Sequence, residues 1–142
     1  MLEEIEETFV NAFPSSKSRR KLFNTYTTYV QDLQHAIQPE SVIYQLMDGS
    51  FVTQKLNPRD IDIVSFIQFK TFERCEQSLR AFRKNGIYQN IDGFVEKVYP
   101  SDHPYYLRYQ HDLVYWINLF SYSRKHQKKG LIKIRYGEAE NH

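Results

Sequence analysis

Residues 60–69 read D-I-D-I-V-S-F-I-Q-F, and this stretch restricts the possible folds more than any other in the chain. Apolar and β-branched residues follow Asp62 almost without a break. That pattern predicts a strand, Asp60–Phe69, buried on both faces at the centre of a sheet. Side chains two apart share one face of a strand. Ile61, Ile63 and Ser65 therefore lie on one side, and Asp60, Asp62, Val64 and Phe66 on the other. A central strand needs other strands beside it and cover above and below, so the rest of the chain must supply both.

The remaining pattern does so. A short acidic helix over about residues 2–12 is followed by Pro14-Ser15-Ser16, where Ser15 or Ser16 can cap a longer helix by accepting a backbone N–H. In that helix Phe23, Tyr26, Val30, Leu33 and Ile37 recur at three and four and share one face, with Leu22 at its border and Pro39 as the stop. Ser41–Met47 reads as a strand broken by Asp48-Gly49-Ser50; residues 51–57 suit a brief helix or a loop. Thr71 is the expected N-cap of an amphipathic helix carrying Phe72, Cys75, Leu79 and Phe82, closed by a left-handed stop at Asn85-Gly86. Asp92–Tyr99 reads as a third strand and Pro100–Pro104 as a polar turn. Pro104 can open a long helix with Leu113, Trp116, Ile117 and Phe120 as its core stripe. Lys128-Lys129-Gly130 then turns the chain into a last strand, Leu131–Tyr136. The fold class is mixed α/β, a small sheet covered by helices, in a single domain over residues 1–142.

At 142 residues the chain can bury a substantial core. A formal net charge of +2 does not mark a dedicated nucleic-acid binder, where a strong basic excess is expected. The local basic clusters Lys17–Lys21 and Arg124–Lys129 read as solvated helix ends or loops. One cysteine, Cys75, permits no internal disulfide and reads as a buried thiol. No apolar stretch approaches the roughly 20 residues of a membrane span, and the acidic Met1–Glu7 segment is not a secretory signal. The expectation is a soluble, cytoplasmic protein. His35, His103, His111, His126 and His142 are scattered without metal-ligand spacing.

The chemistry concentrates in Met47–Val64. Asp60 and Asp62 on one strand face stand about 7 Å apart, given a rise of roughly 3.3 Å per residue, and repel each other. A divalent cation relieves that repulsion, and hard carboxylate oxygens suit Mg²⁺. Taken alone, D-x-D also fits the exposed end of an edge strand. Gly49-Ser50, just after a strand and about ten residues upstream, adds a turn that a ligand can approach closely. Its hydroxyl and backbone N–H groups can hold phosphate oxygens.

Strand, Gly49-Ser50, a short connection and then Asp60-x-Asp62 on the next strand together resemble the nucleotidyltransferase superfamily, with its DNA-polymerase-β-like fold, and within it the small bacterial minimal nucleotidyltransferases. A weaker likeness extends over I-D-G-F-V-E-K-V-Y-P-S-D-H-P-Y-Y, Tyr115-Trp116, Phe120 and Lys129-Gly130-Leu131-Ile132. The resemblance implies two metal-holding aspartates and a third carboxylate on a neighbouring strand. It also implies Mg²⁺ or Mn²⁺ as cofactor, a nucleoside triphosphate (ATP foremost) as donor, and transfer of a nucleoside monophosphate to a protein or RNA hydroxyl. Asp92 is preferred as the third carboxylate over Glu96, because it opens its strand near the site and its shorter side chain is stiffer. The chain departs from the family pattern in carrying Lys55 within the connection and Arg59 immediately before Asp60. Arg59, and Lys133 on the last strand, are candidate phosphate contacts beside Gly49 and Ser50. Small members of this fold often stand beside a protein partner, commonly a toxin, which points to a toxin–antitoxin or defence setting. The competing reading is a non-catalytic nucleotide- or partner-binding module on the same fold.

Overall fold

The computed structural model describes residues 1–84, 86–121 and 131–137. Asn85, His126, His142, the cluster Arg124–Lys129 and the turn at 128–130 lie outside the described residues. Helix α1, Leu2–Glu6, continues as a wider turn over Glu7–Asn11, and α2 runs Arg19–Ala36. Strand β1 is Ile43–Asp48, β2 is Ile61–Gln68, α3 is Phe69–Leu79, β3 is Ile91–Val98, α4 is Tyr106–Ser121 and β4 is Ile132–Tyr136. Short 3₁₀ turns occupy Ser50–Val52 and Arg80–Phe82. The expected order of elements and the mixed α/β class hold.

The sheet has four strands in the order β3-β2-β1-β4. β1 pairs antiparallel with both β2 and β4, while β2 and β3 are parallel, joined by the crossover through α3. β2 is internal and buried on both faces, as its apolar run requires: Ile61, Ile63, Val64 and Ile67 are fully covered. One face carries Ile43, Met47, Ile61, Ile63, Ile67, Ile91 and Val95 into a core with Tyr26, Tyr29 and Leu33 of α2 and Phe72, Cys75 and Leu79 of α3. The opposite face sets Leu46, Val64 and Phe66 against Trp116 and Phe120 of α4. Each such fully buried side chain contributes about 1.5–3 kcal/mol.

Polar atoms inside the first core are satisfied. Tyr26 donates to Gln45 at 2.7 Å, Gln45 donates to Ser65 at 3.0 Å, and the Tyr26 and Tyr136 hydroxyls share a bond of 2.6 Å. This explains a serine between Val64 and Phe66 in the buried part of the strand: a buried hydroxyl is tolerated only with a partner.

Several boundaries differ from the sequence reading. α3 starts at Phe69, and its cap is Gln68, whose side-chain oxygen accepts the Thr71 N–H at 3.2 Å. Thr71 is thus inside the helix and buried. The same helix tightens into the 3₁₀ turn at Arg80–Phe82 before it can reach the expected stop. Gly86 does not take the left-handed conformation; Asn90 does, at φ 65°. α4 opens at Tyr106, two residues beyond Pro104, after a turn in which the His103 Nδ1 accepts the Tyr105 N–H at 3.0 Å. The basic run at 17–21 is only partly solvated, because Arg19 is fully buried. Among the described residues no helix is long and apolar enough to cross a membrane.

Candidate metal centre

The sheet register builds an acidic row. Asp48, the last residue of β1, pairs with Asp62 of β2, and Asp62 pairs with Asp92 of β3. Alternation places all three on the face that α4 packs against, at one end of the sheet. Asp60, two residues before Asp62, joins them from the approach to β2. Asp60, Asp62 and Asp92 each offer an oxygen, and these oxygens all lie within 4.8 Å of one another.

Such crowding is costly without a counter-charge. Burial, then the charges of Asp60, Asp92 and Asp48, push the Asp62 carboxyl up to about 7, helped by its hydrogen bond with Asp92. Burial and then Asp92 also raise Asp60, opposed by Lys55, Lys84 and Arg59. Carboxyl groups held this way are a recurrent mark of functional sites. The donor set fits a hard divalent cation: it consists only of carboxylate oxygens, from β2, from the approach to it and from β3, converging on one spot.

Gly49 brings the phosphate-type turn onto this row. Its backbone sits at φ 96°, a region open to glycine. A Cβ there would stand 3.3 Å from both the backbone nitrogen and Oδ2 of Asp62. Ser50 then opens the 3₁₀ turn Ser50–Val52, the form taken by the start of the connection that the sequence left between helix and loop. Phe51 is fully buried and anchors that turn. Arg19 holds the connection from the inside. It donates to the Phe51 carbonyl at 2.6 Å, to Thr53 at 2.8 Å, to Phe9 at 2.9 Å and, through Nε, to Lys55 at 3.2 Å.

Gly49, Asp60, Asp62 and Asp92 are therefore brought together, with Ser50 next to Gly49 in the chain. Glu96 is not: it lies four residues along β3, and its carboxylate accepts the Trp116 indole N–H at 3.3 Å. Arg59 stands beside Asp60, on the wall of a cleft that runs toward α2. Lys133 shares the sheet face of the acidic row but sits on the edge strand β4 opposite Leu46, which precedes Asp48 in β1. Lys97 points to the other face and pairs with Glu73 at 3.6 Å. Two participants escape sequence reasoning, Asp48 and Arg19. Asp48 was legible only as part of a strand break, and Arg19 only as one cation in a run.

No curated protein and no solved structure matches the chain. Residues 1–135 match the family of unknown function DUF6932, so the chain belongs to that family.

Proposed function

We propose that the protein is a metal-dependent nucleotidyltransferase that moves a nucleoside monophosphate from a nucleoside triphosphate to a hydroxyl of a protein or RNA. The observation that carries this reading is the convergence of Asp60, Asp62 and Asp92 immediately against the Gly49–Ser50 turn. A carboxylate cluster by itself accounts for a cation; a close-approach turn touching one of its members accounts for a phosphorylated ligand bound with it.

In this account Asp60, Asp62 and Asp92 would hold Mg²⁺ or Mn²⁺. Such an ion neutralises a triphosphate and lowers the pKa of an acceptor hydroxyl. Gly49 and Ser50 orient the phosphate tail through backbone N–H groups and the serine hydroxyl, with Lys133 on the same sheet face. The acceptor oxygen forms a bond to the α-phosphorus, the bond from that phosphorus to the bridging oxygen breaks, and pyrophosphate leaves. Asp92 completes the ligand set or takes the proton lost from the acceptor. Catalysis here is positioning and electrostatics. A toxin-like protein partner would fit the acceptor role in a toxin–antitoxin or defence setting.

The test is incubation of the protein with α-labelled ATP, Mg²⁺ and cell lysate. The expected result is label transferred to protein or RNA by the wild type and lost in Asp60→Ala and Asp62→Ala. Nucleotide binding without any transfer would support the non-catalytic binding module instead.

A further inference from the structure

The basic run K-S-R-R-K at residues 17–21 divides its side chains three ways. Arg19 turns inward to the 51–55 carbonyls, and Arg20 turns to Glu6. Lys17, just before the N-cap of α2, and Lys21, in its first turn, face a cleft of about 570 Å³ whose opposite wall carries Arg59. Among the described residues none of these three cations forms an ion pair. The cleft's acidic residue is Asp60, which also belongs to the carboxylate cluster. One residue therefore borders both spaces.

The walls are fixed in place. Asn57 accepts the Lys17 backbone N–H at 2.7 Å, which ties the approach to β2 onto the start of α2. Ile61 donates its N–H to the Asn90 carbonyl at 3.0 Å, which ties in the third wall. The other lining groups are largely uncharged and polar, among them Thr25 and Gln89, and none of the described lining residues is aromatic. Convergent cations with neutral hydrogen-bonding groups suit a phosphate ester and a sugar. The described lining residues therefore favour phosphate and sugar contacts over base stacking. Gly49 abuts Asp62 and does not line the cleft, so the two phosphate-type surfaces approach the cluster through different aspartates.

We infer that this cleft seats the acceptor, and that the acceptor is a phosphate-bearing molecule whose hydroxyl is presented to the cluster past Asp60. The inference rests on the nucleotidyl-transfer reading for the word acceptor; the binding of a phosphate ester does not. The same chemistry is found at the 3′ end of a nucleic-acid strand and in a free nucleotide.

The experiment measures binding by fluorescence anisotropy, in EDTA and without ATP, so that it is independent of turnover. The probe is a short single-stranded RNA with a free 3′ hydroxyl, and a nucleoside 5′-monophosphate serves as competitor. Wild type should bind the RNA, and Lys17→Gln/Lys21→Gln and Arg59→Gln should each weaken it about tenfold or more. The slope of log affinity against log salt should flatten by about 0.7 per cation removed for a single strand. Displacement by millimolar nucleotide identifies the free nucleotide as the source of the group; resistance to it identifies the strand. In parallel, the thermal shift caused by Mg·ATP should be unchanged in Lys17→Gln/Lys21→Gln. The inference is overturned if the variants bind RNA and nucleotide as the wild type does. It is also overturned if the wild type binds neither, or binds an acidic peptide in their place. Loss of the Mg·ATP shift in the double lysine variant would overturn it too, by making the cleft the seat of the triphosphate. If the wild type itself gives no Mg·ATP shift while cleft-dependent RNA binding persists, the transfer reading fails and the phosphate cleft stands.

Discussion

Gly49 lies against Asp62 so closely that a methyl group on residue 49 would be 3.3 Å from the Asp62 backbone nitrogen and from its Oδ2. The glycine also occupies φ 96°, where other residues are strained. Gly49→Ala should therefore lose about 1–3 kcal/mol of stability and weaken Mg·ATP binding by more than the fold loss accounts for. Urea unfolding with and without Mg·ATP separates the two effects.

Asp62 is held among like charges, so its removal should help the metal-free fold while destroying the site. Asp62→Asn is expected to raise the melting temperature in EDTA at pH 8 by a few degrees, about 1 kcal/mol for a chain of this size, and to abolish label transfer. A lower melting temperature would show that the carboxylate is stabilising and that the charge crowding at the pole of the sheet is not a strain.

The pH dependence follows from the same residue. The Asp62 carboxyl is pushed up to about 7 in the folded chain from an ordinary value of 3.8. The folded state keeps this proton longer than the unfolded state does, so the associated stability is fully present below about 4 and is lost as pH rises through about 7. Asp60 and Glu96 are shifted upward as well and act in the same direction. In EDTA the melting temperature should fall from pH 5 to pH 8. Mg²⁺ should restore it most at pH 8, by about 2.7 kcal/mol at 100 times its dissociation constant.

Arg19 supplies the support beneath the turn. Arg19→Ala would strip the buried Phe51 carbonyl and the part-buried Phe9, Thr53 and Lys55 carbonyls of their donor. A buried group left unmatched costs about 1–3 kcal/mol and one that water reaches costs less, so a loss of about 3 kcal/mol is expected, read as a lower urea midpoint at unchanged slope. Arg19→Lys should recover only part of it, since one ammonium cannot span carbonyls that a planar fork reaches.

Local pattern carried the elements and one half of the centre. The two-residue spacing of Asp60 and Asp62, followed by Ile63, Val64 and Phe66, announces both a buried strand and its acidic head. The position of Asp92 follows from its place at the start of another strand. What local pattern does not carry is register across a long connection. Asp48 meets Asp62 only because β1 and β2 pair antiparallel around residues 49–60 with one particular offset. Arg19 is concealed for a similar reason: nothing in K-S-R-R-K states which cation finds the carbonyls of residues 51–55. Phe69 reads as the end of a strand because it prolongs an apolar run; the cap at Gln68 that starts α3 there is a side-chain bond to the backbone of Thr71.

The most direct measurement is a crystal grown with Mn²⁺ and a non-hydrolysable ATP analogue, examined by anomalous diffraction. The account predicts a manganese peak bound by Asp60, Asp62 and Asp92, with the phosphate tail running to Gly49 and Ser50. An anomalous map empty at these three carboxylates, with manganese and nucleotide at saturating concentration and the fold unchanged, would contradict it.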